Sequence, residues 1–527
     1  MKLSARCILC AALLCSSVAA ISEPVQTTHA GITDAKAQHG AIGVEDQPDD
    51  KPVPHTTNPG AQWFPKAGFG LFIHWGLSSV FDTRGQRVGD ISWAMMVGAW
   101  KNKTFNDPKE RERIIREHDW NFDGKPPVIT PNQYWAAARD FNPRHYDPDK
   151  WMAAAKAAGF TYVVLTTRHH EGFALWPSAY GDFSTKNYMG GRDLVKPFVD
   201  AARKYGLKVG LYYSPPNWYF DRDYQNFMYY GTAALNPWLP QLDADLNPRK
   251  VLKTPEQRAK HLVEYNAMVK GQVEELLTRY GKIDLLWFDG SIPAPPGNAP
   301  RLTEARVREL QPGIVLSPRY FHHGDFVTYE GPTLKAPPGS HQPAGLETRV
   351  ARDHWAEWCT TWTQGWAYNN APFYADGQVL GNLALARSLN INFLLDVGPD
   401  ANGELHPTAY KDMADVTAWM KINGASVRAG ALPIGEKASV PATASGKQRF
   451  LFAVPEYTKA ERALDSDMLP LTDKTLVLQG LDAAPKSVIL LGDGKPVDSE
   501  FEDGKLTVHL LAARRTRLPD VVRVELR

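Results

Sequence analysis

Cysteine is scarce in this chain, and its scarcity limits how the fold can be stabilised. The 527 residues contain four cysteines, and Cys7, Cys10 and Cys15 all lie near the amino terminus. If that stretch is cleaved off, Cys359 remains alone and no intrachain disulfide can form. The fold must then rest on its hydrophobic core, without the disulfide framework of small secreted domains.

An excess of charge of one sign is also missing. The chain carries 59 Lys and Arg residues against 58 Asp and Glu residues, and neither sign forms a long run. This balance excludes the basic surface that is typical of proteins that bind nucleic acids or anionic membranes. We therefore expect a neutral substrate, and neither nucleic acid nor a membrane as a partner. The 16 tryptophans offer flat apolar surfaces that suit sugar rings.

The amino terminus lacks an apolar run long enough to span a bilayer. Residues 7–14 are apolar, but a membrane-spanning helix needs about 20 such residues. Lys2 and Arg6 precede this stretch and small residues ending at Ala20 follow it, which is the pattern of a cleavable signal peptide. We therefore predict that residues 1–20 direct export to the periplasm or the extracellular space.

The rest of the sequence divides into three parts. Residues 21–58 are rich in small and polar residues without apolar periodicity, so we expect a flexible leader there. Between residues 59 and 428, short apolar runs alternate with segments of helical spacing, which predicts parallel strands covered by helices. The number of repetitions favours a (β/α)8-type barrel. Residues 429–527 show short alternating segments separated by turns, which is typical of an all-β sandwich.

Polar side chains follow four of the apolar runs in the barrel region. His74, the pair His169 and His170, Tyr213 and Asp289 each stand at the end of such a run. Because the carboxyl ends of the strands of a parallel barrel converge on one site, we expect these side chains to line it. A single His or Asp in such a place is often only a turn or capping residue, but four coincidences make that explanation less satisfactory.

Hydrolysis of a glycoside with retention of configuration requires two carboxyl groups about 5 to 5.5 Å apart. Asp289 is the candidate nucleophile, because a short side chain at a strand end is held firmly in place. Four glutamates near strand ends or aromatic loops are candidates for the acid/base, and spacing alone does not choose among them: Glu171, Glu330, Glu347 and Glu357.

Five motifs, taken in their order along the chain, resemble those of glycoside hydrolase family 29, the α-L-fucosidases. They are the stretches Phe69 to Leu77, Tyr162 to Phe173, Gly210 to Ser214, Trp287 to Asp289 and Leu394 to Pro399. The resemblance implies an exo-acting retaining α-L-fucosidase on a (β/α)8 barrel with a C-terminal β-sandwich. It implies neither a metal nor another cofactor, and its substrate would be a fucosylated oligosaccharide or glycoconjugate.

The resemblance also implies roles for particular residues. Asp289 falls on the nucleophile, and Glu330 matches the acid/base segment, with Glu357, Glu347 and Glu171 as the alternatives. Trp366 falls in a segment where an apolar wall receives the C5 methyl group of fucose. The positions implied to bind substrate are His74, Trp93, His169, His170, Tyr213, Trp287, Arg319 and Trp366.

The chain departs from the family pattern in three places. Ser92 precedes Trp93 where the family has a Glu-Trp pair, so one sugar-binding carboxylate is absent and the preference for sugar and linkage stays open. Residues 390–392 replace a glycine pair, and Asp396 replaces the usual Asn. We expect these last two changes to be structural.

Two other functions compete with this interpretation. The first is a metal-dependent barrel hydrolase with His74, His169, His170 and Asp289 as ligands. Against it, the first strand lacks a His-x-His pair, and neighbouring residues on a regular strand point in opposite directions. The second is a non-catalytic sugar-binding homologue, since a fold does not imply a function. The two retained carboxyl groups argue against that. The sequence leaves the natural glycan and the oligomeric state undetermined.

Overall fold

The computed structural model of the chain describes residue 42 and residues 54–83, 91–98, 104–120, 129–331, 351–368, 370, 372–458 and 466–527. The predicted signal peptide at residues 1–20 lies outside the described residues. So does Glu347, one of the four candidate acids.

Eight parallel strands form the first part of the fold. They are β1 (Phe69–Ile73), β2 (Tyr162–Arg168), β3 (Lys208–Tyr213), β4 (Leu285–Phe288), β5 (Val315–Leu316), β6 (Phe326–Glu330), β7 (Trp355–Thr361) and β8 (Asn392–Val397). Their order in the sheet is β5-β4-β3-β2-β1-β8-β7-β6. Because β1 pairs with β8, with Phe69 opposite Phe393, the sheet curls into a barrel. No ladder among the described residues joins β5 to β6, so the barrel is nearly closed.

Helices cover the outside of the barrel and connect its strands. They are α1 (Ser78–Thr83), α2 (Pro108–Glu117), α3 (Pro131–Ala136), α4 (Pro148–Ala157), α5 (Thr185–Tyr188), α6 (Val195–Lys204), α7 (Tyr230–Leu235), α8 (Pro255–Arg279), α9 (Glu304–Leu310), α10 (Asp376–Ser388) and α11 (Pro407–Arg428). In the described part of the chain, none of these helices is both long enough and apolar enough to cross a membrane.

Local sequence explains where the longest helix begins and why the strands lie inside. The α8 helix starts at a capping box, in which the Thr254 side chain accepts from the Gln257 backbone while the Gln257 side chain accepts from the Thr254 backbone. Every residue of β1 and of β2 is buried. Strands covered on both faces are expected to be largely apolar, as β1 and the first four residues of β2 are.

Two antiparallel sheets follow the last barrel helix, which ends at Arg428. One sheet has the order β10-β13-β16-β15 and the other β14-β17-β12-β11-β9. Leucine and valine side chains from both sheets form one buried cluster between them. The predicted barrel with a C-terminal all-β sandwich is therefore confirmed. The strands are β9 (Gly430–Ala431), β10 (Lys437–Ala438), β11 (Ala442–Ser445), β12 (Gln448–Ala453), β13 (Lys474–Gln479), β14 (Ser487–Leu490), β15 (Asp498–Glu502), β16 (Lys505–Leu510) and β17 (Asp520–Glu525).

Parts of the expected leader pack against the barrel. The Thr56 backbone donates to Asp325 at 2.7 Å, and the His55 ring stacks on Trp355 with ring centres 4.4 Å apart. Further back, the Ile42 carbonyl oxygen accepts from Ser291 N at 2.7 Å. Order therefore extends before residue 59 at these positions, which differs from the expectation of a leader without structure.

Candidate active site

A pocket with about 480 Å³ of empty space opens at the carboxyl ends of the barrel strands. Nine of the ten predicted site residues line it: His74, Trp93, His169, His170, Trp287, Asp289, Arg319, Glu330 and Trp366. Four further residues complete the wall, and they are Ile42, Phe72, Tyr212 and Cys359. The strand-end argument from the sequence therefore located the pocket.

Asp289 lies directly after β4 and is bonded on both carboxylate oxygens. The Tyr212 hydroxyl donates to Oδ2 at 2.6 Å, and Arg319 Nη1 donates to Oδ1 at 2.7 Å. Burial alone would raise the pKa of this carboxyl, but the Arg319 cation and His170 outweigh burial and lower the pKa to about 2. Asp289 is therefore a carboxylate at any ordinary pH.

The same arginine also holds Glu330. Arg319 Nη2 donates to Glu330 Oε2 at 2.5 Å, so one planar guanidinium joins two carboxyl groups. Its Cζ lies 4.8 Å from the centre of the Trp287 ring, which supports it from one face. The side chain of Arg319 is 7% exposed, that of Asp289 11% and that of Glu330 28%. Glu330 is thus the more accessible carboxyl of the pair.

Two of the alternative acids lie outside the pocket lining. The Glu357 carboxylate accepts from Trp287 Nε1 at 2.8 Å and from the Tyr162 hydroxyl at 2.6 Å, and the residue is fully buried. The Glu171 carboxylate accepts from Leu77 N and from a tyrosine hydroxyl. Burial raises the pKa of each of these two carboxyls to about 7. Both bind neighbouring protein groups with both oxygens, which indicates supporting positions.

The prediction that Tyr213 lines the site is corrected by one residue. Side chains alternate along a strand, so Tyr212 faces the pocket and Tyr213 faces outward. The Tyr213 hydroxyl donates to Gln272 at 3.0 Å, and the Arg168 guanidinium covers its ring at 4.2 Å. The spacing of two that joins Trp287 to Asp289 on the inner face places Tyr212 there as well, once the pairing of Tyr212 with Trp287 is known.

The histidine pair does not obey the alternation that the sequence analysis assumed. Strand β2 ends at Arg168, and its pairing with β3 shifts register between Thr166 and Arg168. The two histidines therefore follow the strand, and both reach the pocket with ring centres 4.2 Å apart. The argument that adjacent histidines must diverge was wrong for this reason.

Each histidine of the pocket is held through its Nδ1 atom. His74 Nδ1 lies 2.6 Å from Asp396, His169 Nδ1 lies 2.7 Å from Ser92 Oγ, and His170 Nδ1 lies 2.5 Å from Ser214 Oγ. Burial lowers the pKa of His170 to about 4 and that of His169 well below its usual value. Both rings are neutral at pH 7. Asp396, expected to be structural, instead contacts the site.

Aromatic rings form much of the remaining wall. Trp366 lies 5.0 Å from the His74 ring and 6.3 Å from Phe72, measured between ring centres. Trp93 meets the His170 ring edge-on at 5.9 Å. A pocket with hydrogen-bonding groups and apolar rings suits a small ring that carries both hydroxyl groups and an apolar edge.

One set of side chains in the pocket has the spacing of a metal site. His169, His170 and Asp289 offer ligand atoms within 4.8 Å of one another. However, Asp289 already bonds the Arg319 cation at 2.7 Å. A divalent ion placed there would be repelled by that guanidinium, so the electrostatics favour two carboxyl groups acting without a metal.

Two carboxyl groups on adjoining walls of a pocket at the carboxyl ends of parallel barrel strands define a barrel glycoside hydrolase. A family model described as Alpha-L-fucosidase matches residues 45–425. The chain belongs to the alpha-L-fucosidase family.

Similar proteins carry the same name. The chain is 27% identical to the tissue alpha-L-fucosidase of Homo sapiens over 396 residues, which is 72% of this chain and 70% of that protein. It is also 27% identical to the tissue alpha-L-fucosidase of Bos taurus over 399 residues, which is 72% of this chain and 70% of that protein.

The fold is similar to solved structures as well. Alpha-L-fucosidase isoenzyme 1 from Paenibacillus thiaminolyticus is 28% identical and superimposes with a TM-score of 0.63 over 89% of this chain and 99% of that one. A GH29 alpha-L-fucosidase from Bacteroides thetaiotaomicron, trapped as a covalent intermediate, has a TM-score of 0.63 and 21% identity over 92% of this chain and 100% of that one. At that identity the second likeness concerns the fold alone.

Proposed function

We propose that this glycoside hydrolase is an exo-acting retaining α-L-fucosidase that removes terminal α-L-fucosyl residues from oligosaccharides or glycoconjugates. Asp289 is the nucleophile and Glu330 the acid/base. The observation that carries the assignment is the Arg319 guanidinium, which bonds one oxygen of each carboxyl group at 2.7 and 2.5 Å. A shared guanidinium places the two carboxyls near each other, as a retaining pair with a separation of about 5 to 5.5 Å requires.

In the first step, an Asp289 oxygen attacks the anomeric carbon while the bond from that carbon to the leaving oxygen breaks. Glu330 gives its proton to the leaving oxygen, and a covalent glycosyl ester remains on Asp289. Arg319 and Tyr212 keep Asp289 ionised before attack. In this step Glu330 has to carry a proton, which the negative charge of Asp289 favours and the Arg319 cation opposes.

In the second step, water attacks the anomeric carbon and the ester bond to Asp289 breaks. Glu330 accepts the proton of that water, which restores the starting state with retained configuration. While the ester exists, Asp289 carries no charge and Arg319 has only Glu330 as an anionic partner. The guanidinium then favours the carboxylate form of Glu330, which is the form that a general base needs. One cation thus supports both roles.

Variants at the two carboxyl groups test the assignment. Asp289→Ala should abolish turnover, and azide should attack the vacated face to give the inverted β-fucosyl azide. Glu330→Ala should lose far more activity on natural linkages than on an aryl fucoside with an acidic phenol, and azide should give the retained α-fucosyl azide. Glu275→Gln is the matched control, because it changes a buried carboxyl that bonds Trp176 and Ser178 outside the pocket, and it should leave the ratio of the activities on the two substrates unchanged.

The first sugar released by the wild-type enzyme is the sharpest single measurement. NMR of the reaction should show α-L-fucose before mutarotation. β-L-Fucose as the first product would overturn the retaining mechanism. If Glu330→Ala kept the wild-type ratio of activity on the natural substrate to activity on the aryl fucoside, the acid/base assignment would be overturned. The alanine variants of Glu171, Glu347 and Glu357 would then identify the true acid.

Two further measurements address the competing functions. EDTA should leave activity unchanged, whereas loss with rescue by a divalent ion would favour a metal hydrolase that uses His169, His170 and Asp289. Binding of fucose without any turnover of an aryl fucoside would favour the non-catalytic homologue. The signal peptide pattern at residues 1–20 supports export of the mature enzyme, and amino-terminal sequencing of the secreted protein tests it.

A further inference from the structure

Two buried serines contact the Nδ1 atoms of two pocket histidines. Ser92 and Ser214 are both fully buried, and each hydroxyl oxygen lies within hydrogen-bond distance of one Nδ1 atom, that of His169 and that of His170. A neutral imidazole carries one N–H and one bare nitrogen, and the partner of one nitrogen decides which is which. The serines are therefore placed to set what each ring offers to the pocket.

Ser214 must accept a hydrogen bond from His170. Its hydroxyl donates to the carbonyl oxygen of Pro216 at 2.9 Å, which can only accept. A hydroxyl has one hydrogen, so the 2.5 Å contact to His170 is made by Nδ1–H donating to Ser214 Oγ. His170 Nε2 is then the bare nitrogen. It lies 3.5 Å from Asp289 Oδ2.

The carbonyl groups around Ser214 are themselves fixed. The fully buried Arg168 donates from Nη2 to the carbonyl oxygens of Ser214, Pro215 and Pro216. Its Nη1 donates to Gln272 at 2.6 Å. Because Arg168 holds this turn, the acceptor of the Ser214 proton cannot rotate away, and the His170 tautomer is defined by backbone geometry.

Ser92 stands in the opposite situation. Its oxygen accepts from Glu171 N at 2.7 Å, and among the described residues its other polar contact is His169 Nδ1 at 2.7 Å. If His169 donated as well, the Ser92 hydrogen would be buried without an acceptor among those residues, which is unfavourable. The satisfied arrangement has Ser92 donating to Nδ1. His169 therefore carries its proton on Nε2.

We propose that Ser92 and Ser214 are positioning residues that fix His169 and His170 in opposite tautomers, so that the pocket offers a sugar one N–H donor and one acceptor side by side. The inference rests on the proposed function for its substrate, but the tautomers are properties of the free protein. A hydroxyl group both donates and accepts, so a donor and an acceptor side by side can each bond one hydroxyl of the ring.

Loss of each serine has a different expected consequence. Without Ser214, the tautomer of His170 with its proton on Nε2 becomes the more stable one, because that N–H can donate a hydrogen bond to Asp289. The variant Ser214→Ala should therefore invert the His170 tautomer, and the extra hydrogen bond should weaken Asp289 as a nucleophile, which lowers kcat. Without Ser92, nothing selects a His169 tautomer, so Ser92→Ala should give a mixture and chiefly raise KM.

Nitrogen NMR of histidine-labelled full-length enzyme tests the proposal directly. The wild-type enzyme should show a protonated Nε2 on His169 and a protonated Nδ1 on His170, assigned with His169→Gln and His170→Gln. Ser214→Ala should invert the His170 pattern. Equal tautomers on the two wild-type rings would overturn the proposal. This result stands whether or not the protein hydrolyses fucosides, so it separates a failed inference from a failed function.

Kinetics with deoxygenated substrates gives the functional readout. Aryl α-L-fucosides that each lack one ring hydroxyl should show one hydroxyl whose removal costs the wild-type enzyme about threefold to tenfold in kcat/KM, the worth of one neutral hydrogen bond. In Ser92→Ala that cost should disappear for the hydroxyl served by His169. The matched control is Ser426→Ala, a fully buried serine outside the pocket whose hydroxyl donates to Asn423 O. In Ser426→Ala, the loss of kcat/KM on removal of each hydroxyl should equal that of the wild type. If Ser92→Ala also showed the same losses as the wild type, the assignment would be contradicted.

Discussion

Replacing Arg319 with methionine removes the guanidinium that bonds both Asp289 and Glu330. Methionine fills a similar space without charge, so the change tests electrostatics more than packing. Two carboxyl groups would then share a buried wall with no cation between them. Like charges at that range cannot both ionise easily, and the pair would titrate as a unit at higher pH.

The structure gives the size of this effect. Asp289 has an ordinary pKa of 3.8, and its surroundings, chiefly Arg319 working against burial, lower it to about 2. Without the guanidinium, burial and the charge of Glu330 act to raise the pKa, while His170 and His169 still act to lower it. A return to the ordinary value would be a shift of about 2 pH units, or about 2.5 kcal/mol in the ionisation of Asp289. Because the lowered pKa keeps the nucleophile ionised, its loss should be felt most at acidic pH.

The pH profile of kcat/KM for an aryl α-L-fucoside measures the change. We expect the acidic limb of Arg319→Met to move up by about 2 units, together with a loss of about 100-fold at neutral pH, the size seen when one preorganised electrostatic group is removed. Arg319→Lys is the matched control, because it keeps the charge but can reach only one carboxyl at a time. It should restore the acidic limb while leaving kcat low. An acidic limb of Arg319→Met that matches the wild type, with an unchanged melting temperature, would refute the argument.

Three other changes have defined outcomes. Tyr212→Phe removes the donor to Asp289 and should lower kcat/KM roughly 10- to 100-fold, as expected for a hydrogen bond to a charged group. Tyr213→Phe should keep a kcat/KM near that of the wild type. A larger loss in Tyr213→Phe than in Tyr212→Phe, in an aryl-fucoside assay, would contradict the placement of these tyrosines. Asp396→Asn can donate to His74 Nδ1 and so favours the wrong tautomer, which should raise KM about tenfold or more at pH 7; an unchanged KM would show that His74 does not bind substrate. Burial, with Asp412 and Asp415, raises the pKa of Asp376 to about 7, so the folded protein loses stability as the pH rises from about 4 to 7. The variant Asp376→Asn should therefore raise the free energy of unfolding by about 2 kcal/mol at pH 8 but change it little at pH 4. Thermal unfolding measures this, with the exposed Asp482→Asn as the control.

The barrel and the position of its site could be predicted because both follow from local sequence. Strands that are buried on two faces are expected to be largely apolar, and β1 and the first four residues of β2 are. The parallel order then sends every strand end to the same side. Asp289 and His74 could therefore be placed at one site before any contact was known, since only the direction of each strand was needed.

Side-chain direction and long-range partners could not be predicted in the same way. Tyr213 was predicted to face inward because it ends an apolar run. In the structure Tyr212 pairs with Trp287, which faces the pocket, so the next residue, Tyr213, faces outward. The histidine pair was misjudged because a register shift is not visible in a single sequence. Asp396 reaches His74 across 322 positions of chain, and no local pattern marks such a pair.

The charge of the pocket explains how these parts act together on an uncharged sugar. His169 and His170 are neutral at pH 7, since burial lowers both pKa values. Among the groups described above, Asp289 is an anion and Arg319 a cation that bonds it. With Glu330 protonated, these two charges cancel, which suits a neutral ring. In the proposed mechanism, Glu330 becomes negatively charged as it releases its proton to the leaving oxygen, while the ring becomes positive and cation-like. These opposite charges arise beside groups that the protein already holds in place, which favours the transition state.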